Sequence, residues 1–337
     1  MNKIALAIHG GAGTILRSTM TAELELEYRS GLENALRVGW TILEKGRSSL
    51  DSVEAAVAAL ENFHLFNAGR GSVFNHDGKN EMDAAIMDGK NLKAGAVAFI
   101  RNVKNPIKLA RLVMENTEHV LLAGDGAMQF AKEMEIEFAD DGHFYTEHRW
   151  KQLEEAIAAG RVQLDHSTAE TPKRREQQAE TRPVGSVPSS DDRKSKIVNR
   201  NSLGTVGAVA CDANGNLAAA TSTGGMTNKK FGRVGDTAII GSGTYAENST
   251  CAVSCTGHGE FFMLGVTAYD LAARMKYKGL GLEDAARETI DHLTKIGGEG
   301  GLVAIDTLGN VVLRFNSEGM YRGWIMADGK SGIEIYK

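Results

Sequence analysis

Proline and cysteine are both scarce in this chain, at 4 and 3 of 337 residues. So little proline excludes collagen-like and Pro-rich disordered architectures. The cysteines, Cys211, Cys251 and Cys255, are too few and too odd in number for a disulfide framework. They place the chain in a reducing compartment, the expected location being the cytoplasm. No run reaches the ~18 apolar residues of a membrane helix. The apolar run after Lys3, about five residues, is too short for a secretory signal. Excess positive charge is missing too: 38 Lys+Arg against 43 Asp+Glu leave a net charge of −5 and a pI near 6.0. No general attraction to nucleic acid or anionic membrane is expected. The 9 histidines form no His-Glu-x-x-His, and no Cys-x-x-Cys occurs, so a zinc site is not expected. Gly329-Lys330-Ser331 mimics the end of a phosphate-binding loop, but the leading glycine is replaced by Trp324. A Gly-x-Ser-x-Gly nucleophile elbow is also lacking.

Glycine, in contrast, is abundant at 39 residues, and hydrophobic residues make up 42%, enough for a core. Ile4–Ile8 reads as a short buried strand ending in a Gly-rich turn, Gly10-Gly11-Ala12-Gly13. Helical spacing follows over 22–45, and a second helix is expected from Asp51, with Glu54 completing a capping box. Strands are expected at 82–87, 94–100 and 119–123, and helices after Pro106, near 128–134 and over 147–159.

The composition then breaks. Residues 161–200 hold no aromatic residue, 8 hydrophobic residues in 40, 15 charges and three of the four prolines. This is the composition of an exposed linker. Beyond it, 204–211 and 217–223 form an expected hairpin around Asn214-Gly215. A strand pair at 238–240 and 251–255, helices over 259–275 and 282–294, and a strand pair at 302–306 and 311–315 complete the reading. The sum is a layered protein of strands and helices on both sides of a linker.

The downstream edge of the linker carries the chemistry. Gly204-Thr205 runs directly into a buried strand. If that bond is cut, Thr205 carries both a hydroxyl nucleophile and an α-amine whose pKa, about 7.7–8.0, suits a general base near neutrality. Gly204 leaves its own carbonyl open to hydroxyl attack. The bland alternative is an ordinary strand threonine. Thr221-Ser222-Thr223 on the adjacent strand brings hydroxyls near Thr205. Arg233 and Asp236 offer an opposite-charge pair for an α-amino acid, or a solvated salt bridge. Thr256 and Gly257, after a strand, offer an oxyanion hole or merely a turn.

Seven motifs occur in order: His9-Gly10-Gly11-Ala12-Gly13; Phe66-Asn67-Ala68-Gly69-Arg70-Gly71-Ser72; Glu81-Met82-Asp83-Ala84 with Ile86-Met87-Asp88-Gly89; Gly204-Thr205-Val206-Gly207; Ala220-Thr221-Ser222-Thr223-Gly224-Gly225-Met226; Gly232-Arg233-Val234-Gly235-Asp236; and Ser254-Cys255-Thr256-Gly257-His258-Gly259-Glu260. Together they closely resemble the isoaspartyl peptidases and plant-type L-asparaginases, which are N-terminal-nucleophile (Ntn) hydrolases. The resemblance covers nearly the whole chain except the linker.

It implies an α+β fold, a four-layer αββα sandwich forming one structural domain. It implies self-cleavage at Gly204–Thr205 into an α subunit, 1–204, whose last part (160–204) is the linker, and a β subunit, 205–337, assembled as a dimer of αβ units. Thr205 is then the nucleophile, supported by Thr223 with Thr221 nearby, and Asn67 lies close to it. Arg233 holds the substrate α-carboxylate and Asp236 its ammonium, within a binding segment that includes Val234, Gly235, His258 and Gly259. Thr256 and Gly257 form the oxyanion hole. No cofactor is expected for catalysis. A structural sodium is implied in the loop of Leu60, Glu61, Phe63, Phe66, Ala68 and Arg70, bound through backbone carbonyls. The implied substrates are L-asparagine and β-aspartyl dipeptides.

Ser242 and Glu247 stand where Ala and Asn are more familiar in that family, and the linker is longer and more basic than in bacterial relatives. A glycosylasparaginase is the nearest rival, but such enzymes carry an acidic residue before the nucleophile, where this chain has Leu203-Gly204. A non-catalytic protein that docks an acidic partner through the basic linker residues would have no reason to be cut at Thr205.

Overall fold

The computed structural model describes residues 4–162 and 204–337. The expected linker therefore lies outside the described residues, apart from its ends. The first part of the chain forms β1 (Ala5–Gly13), α1 (Ala22–Glu44), α2 (Ser49–Glu61), β2 (Met82–Asp88), β3 (Ala94–Ile100), α3 (Pro106–Asn116), β4 (Leu121–Ala123), α4 (Gly124–Glu133), α5 (Asp141–Phe144) and α6 (Glu147–Ala158). The second forms β5 (Val206–Cys211), β6 (Leu217–Thr223), β7 (Thr244–Ala246), β8 (Cys251–Gly257), α7 (Gly259–Gly265), α8 (Thr267–Lys278), α9 (Leu282–Lys295), β9 (Gly300–Asp306), β10 (Val311–Phe315), β11 (Gly319–Met326) and β12 (Ser331–Tyr336).

An eight-stranded sheet has the order β12-β11-β1-β5-β6-β2-β3-β4, antiparallel except for the parallel pair β3–β4. A four-stranded antiparallel sheet has the order β10-β9-β8-β7. Strand alternation divides the core. Leu6 and Ile8 of β1 join Leu32 and Leu36 of α1, Val53 and Val57 of α2 and Ile107 of α3 in one apolar cluster. Ala5 and Ala7 point the other way and pack with Val209, Ala219, Ala252, Val303 and Ile305, drawn from both sheets. On the small sheet, Cys251, Val253 and Cys255 pack with Leu271, Ala285, Ile290 and Leu293 of α8 and α9. The chain is thus a mixed α+β fold.

Local signals explain the elements. Thr21 caps α1 by accepting the Leu24 N–H, and Tyr28, Leu32, Ala35, Leu36, Gly39 and Leu43 form its buried stripe. The cap of α2 is Ser48, which accepts the Asp51 N–H, so the helix starts two residues before the expected Asp51 and the Asp51–Glu54 capping box does not form. Glu54 instead faces Arg111. The β5–β6 hairpin turns where expected: Asp212 Oδ1 accepts the Asn214 and Asn216 N–H groups at 2.9 and 3.0 Å, and Gly215 takes φ +79°.

Four further expectations are corrected. Residues 238–240 form no strand, and β8 pairs with Thr244–Ala246 of β7, within the stretch Gly241-Ser242-Gly243-Thr244-Tyr245-Ala246-Glu247. The single helix expected over 259–275 is two, because Val266 adopts the left-handed conformation (φ +46°) between α7 and α8. The first strand does not end at Ile8 in a turn: β1 continues through Gly13, with a bulge between His9 and Gly11. The strands β11 and β12 had no counterpart in the sequence reading.

Candidate active site

The hairpin register creates the site. Val206 pairs with Ser222 and Gly207 with Thr221, so Thr205, one step before β5, falls beside Thr223 at the end of β6. The Thr205 hydroxyl donates to Thr223 Oγ1 at 3.1 Å, and Thr205 is only 8% exposed. Thr223 Oγ1 also accepts the Gly225 N–H at 2.9 Å. That turn is held by Asn67, whose side-chain N–H donates to Gly225 O at 2.8 Å and whose main-chain carbonyl accepts the Gly224 N–H at 3.1 Å. Asn67 Oδ1 in turn accepts the Val73 N–H at 3.0 Å. Asn67 therefore reaches the nucleophile candidate through the Gly224–Gly225 turn.

The glycine-rich end of β1 lies on the other side. Its pairing with β11 shifts register between His9 and Gly11, a bulge that turns the strand. A Cβ on Gly11, which has φ +121°, would lie 2.5 Å from Gly204 N, so only glycine lets this strand approach the Gly204–Thr205 bond. Ala12 N–H donates to Thr256 Oγ1 at 3.3 Å, placing the end of β8 against the same bulge. Thr256 is buried, keeps its own hydroxyl proton to donate, and precedes Gly257 at φ +144°.

Arg233 and Asp236 meet differently from the expected pair. The Arg233 guanidinium is bidentate to Glu260 of α7, with Nε and Nη2 each 3.0 Å from a carboxylate oxygen. Asp236 is buried, its Oδ2 has no hydrogen-bond partner among the described residues, and burial pushes its pKa up to about 7. Both still converge on one spot. A Cβ on Gly259 would lie 2.7 Å from Asp236 Oδ1 and 2.8 Å from Arg233 Nη2. Gly235 packs against the Arg233 Nη1 side, Val234 is half-buried beside it, and His258 precedes α7, its pKa held down by burial.

The loop expected to bind sodium is adjacent. Phe66 packs its ring onto Gly10, where a Cβ would lie 2.5 Å away. Leu60 and Ala68 are buried, Phe63 packs its ring against Phe66 at 5.4 Å, and Arg70 is exposed. Backbone carbonyls crowd the loop interior: a Cβ on Gly71 would meet Phe66 O at 2.1 Å and His64 O at 2.5 Å, and one on Gly69 would meet Glu61 O at 2.4 Å. The Glu61 carboxyl points away, accepting from Ile107 N–H and Asn105 Nδ2 at 3.0 Å each. Among the described residues no cluster of His, Cys, Asp and Glu has a metal-binding arrangement.

The sequence reading missed four contributors. Glu260 was visible only as part of a motif. Ser254 and Thr244 join Thr221 in a buried hydroxyl cluster. Lys229, also buried, donates to Glu81 O at 2.7 Å beside Gly225, and burial holds its pKa down. Nothing in a run such as Asn228-Lys229-Lys230 marks one lysine as interior.

Comparison with known proteins assigns the family. The asparaginase family model matches residues 2–335. The chain is similar to an isoaspartyl peptidase of Salmonella typhimurium, 48% identical over 100% of both chains. It is also similar to the isoaspartyl peptidase of Escherichia coli, at 47% identity over 100% of this chain and 97% of that one. An isoaspartyl peptidase/L-asparaginase of Xenopus laevis is 42% identical, covering 99% of this chain and 96% of the relative. No described helix is long and apolar enough to cross a membrane. A match over essentially the full length, together with a threonine beside Thr223 at the start of a buried strand, makes this chain a member of the asparaginase family that includes the isoaspartyl peptidases.

Proposed function

We propose that the protein is a self-processing threonine hydrolase of the Ntn type that cleaves β-aspartyl dipeptides and L-asparagine. The observation that carries this reading is Thr205: buried, directly after Gly204, its hydroxyl 3.1 Å from Thr223 Oγ1.

Maturation begins when Thr205 Oγ attacks the Gly204 carbonyl carbon. The C–N bond breaks as the acyl group passes to oxygen, and water hydrolyses the resulting ester. This leaves residues 1–204 and a chain beginning at Thr205 with a free amine. That amine, with a pKa of about 7.7–8.0, removes the hydroxyl proton as Oγ attacks the substrate's β-carbonyl carbon. The Thr256 hydroxyl and the Gly257 N–H stabilise the oxyanion. The amine returns its proton to the leaving nitrogen, and ammonia or an amino acid departs. Water then attacks the β-aspartyl ester, releasing aspartate and restoring Thr205.

Arg233 binds the substrate α-carboxylate. Asp236 and the Gly259 carbonyl bind its ammonium, which supplies the donor that buried Asp236 Oδ2 lacks among the described residues. Thr221, Val234, Gly235 and His258 shape the surrounding wall. The loop of Leu60, Glu61, Phe63, Phe66, Ala68 and Arg70 fits a structural sodium, because the crowded carbonyls around Gly69 and Gly71 are the hard oxygen donors such a cation takes. When bound, the ion neutralises those carbonyl dipoles and stiffens the loop that carries Asn67. The sheets and their flanking helices fit a four-layer αββα sandwich, and the mature form fits a cytoplasmic dimer of αβ units.

Intact mass of the purified protein beside its Thr205→Ala variant tests the reading. Two wild-type fragments meeting at Gly204–Thr205, an uncut variant, and wild-type turnover of L-asparagine and a β-aspartyl dipeptide are expected. A stable, uncut 36.2 kDa wild-type chain that turns over neither substrate would overturn it.

A further inference from the structure

Behind Thr205 runs a buried chain of side-chain hydrogen bonds that the reaction does not use directly. His9 Nδ1 lies 3.0 Å from the main-chain oxygen of Thr205, and His9 Nε2 lies 2.8 Å from Ser254 Oγ. Ser254 Oγ is 2.7 Å from Thr221 Oγ1, which accepts from the Thr244 hydroxyl at 2.6 Å. All five residues are buried, four of them on β1, β6, β7 and β8 and Thr205 immediately before β5. The chain therefore ties the two sheets together through the nucleophile's own backbone.

One end of this chain dictates every proton in it. A carbonyl oxygen can only accept, so His9 Nδ1 carries the hydrogen and donates to Thr205. Burial keeps the imidazole neutral, its pKa pushed down to about 3. Nε2 is then an acceptor and Ser254 donates to it. Thr221 must donate to Ser254, and Thr244 donates to Thr221. Gly207 makes room for this path. A Cβ there would lie 2.0 Å from Ser254 Oγ and 2.4 Å from His9 Nε2.

We propose that His9 is a positioning residue for the nucleophile: its Nδ1–H clamps the Thr205 carbonyl, and the Ser254–Thr221–Thr244 hydroxyls fix the tautomer that makes this possible. The proposal rests on the reading of Thr205 as nucleophile. Once the Gly204–Thr205 bond is cut, Thr205 is a chain end, free to rotate about its Cα–C bond. That rotation swings the α-amine relative to the fixed strand. A hydrogen bond to the carbonyl fixes the Thr205–Val206 peptide plane, and so the axis on which the Thr205 Cα carries amine and hydroxyl together toward the substrate. Arg233 and Asp236 lie outside the chain, so the clamp acts on turnover rather than on substrate capture.

Two isosteric substitutions separate the two halves of the imidazole. The amide of His9→Asn overlays Nδ1 and can still donate to Thr205. The longer amide of His9→Gln overlays Nε2, reaching Ser254 but not Thr205. With processed enzyme, His9→Gln is expected to lose about 100-fold in kcat with KM within about twofold, the cost of a misplaced reacting group. His9→Asn is expected to recover kcat to within about fivefold of wild type. Ser254→Ala, a smaller change that keeps the fold accessible, is expected to lose about tenfold in kcat, the rate equivalent of one hydrogen bond. Equal kcat for the Asn and Gln variants, or full kcat in Ser254→Ala, would overturn the proposal. Thr205→Ala run in parallel separates this outcome from failure of the underlying reading: an active Thr205→Ala protein refutes the nucleophile itself, whereas an inactive one with unaffected His9 variants refutes only the clamp.

Discussion

Arg233 is held by Glu260, with Nε and Nη2 each 3.0 Å from a carboxylate oxygen, and not by Asp236 three residues along. This bidentate contact uses the side edge of the guanidinium fork and leaves the Nη1/Nη2 end edge for a second carboxylate. The end edge faces glycines: a Cβ on Gly235 would approach Nη1 to 2.8 Å, and one on Gly259 would approach Nη2 to 2.8 Å. Burial disfavours the charged Glu260, but its hydrogen bonds to Arg233 outweigh this and hold its pKa below the usual range. Glu260 is thus ionised, and under the proposed function it aims Arg233 at the substrate carboxylate. Removing it with Glu260→Ala is expected to raise KM about 5- to 10-fold with kcat within about twofold, roughly the energy of one charge-assisted hydrogen bond. Steady-state kinetics on L-asparagine decides, and a lower KM would show that Glu260 competes with substrate instead.

Under the proposed function, Asp236 sets the pH dependence of substrate capture. Desolvation by burial raises its pKa to about 7 in the substrate-free protein, with the Arg233 charge opposing the shift. Below that pH its carboxyl is protonated and attracts an ammonium weakly. KM is therefore expected to fall as pH rises through about 7, while kcat follows deprotonation of the Thr205 amine at about 7.7–8.0. In Asp236→Asn the KM is expected to be high and independent of pH. A wild-type KM that is flat across this range would show that Asp236 is already ionised when substrate arrives.

The placement of Thr205 beside Thr223 was legible in the sequence because it depends on local features. A glycine–threonine step at a composition break and an Asn-Gly hairpin fix the β5–β6 register, and the register alone sets Thr205 beside Thr223. What escaped depends on contacts between distant parts of the chain. His9 meets Ser254 across 245 residues and Thr205 across 196. Glu260 reaches Arg233 only because α7 starts at the end of β8 and turns back over the 232–236 segment. The strands β11 and β12 were hidden because Gly319, Gly323 and Gly332 interrupt the alternation that marks a strand. Val266, a β-branched residue at φ +46°, breaks a helix where propensity offers no warning.

Gly207 tests the hydroxyl network without touching any of its polar groups. A methyl at this position would lie 2.0 Å from Ser254 Oγ and 2.4 Å from His9 Nε2, so the side chains or the strand must move. Because the site lies between two sheets, little space exists to absorb the shift. Gly207→Ala is expected to lower unfolding free energy by about 1–3 kcal/mol, the usual cost of overpacking. It is also expected to slow cleavage at Gly204–Thr205, read as persistence of the uncut chain by denaturing electrophoresis. Unaltered stability together with normal cleavage would mean that Ser254 and His9 can separate freely.

Glu61 gives a pH signature of stability that is read without substrate. Its carboxyl is fully buried, and desolvation raises its pKa to about 7, against the opposing hydrogen bonds from Ile107 N–H and Asn105. The folded state therefore holds the proton more tightly than the unfolded chain, whose ordinary value is 4.5. Stability from this group is fully present below pH 4.5 and is lost as pH rises through about 7. Glu61→Gln keeps a carbonyl acceptor at the end of α2 but cannot ionise. Relative to this variant, wild type is expected to lose on the order of 1–3 kcal/mol between those limits. Urea unfolding of both proteins at several pH values measures the difference directly. A gap that does not change with pH would mean that the carboxyl ionises at its ordinary value, and one that widens in favour of wild type as pH rises would mean that its hydrogen bonds hold its pKa below that value.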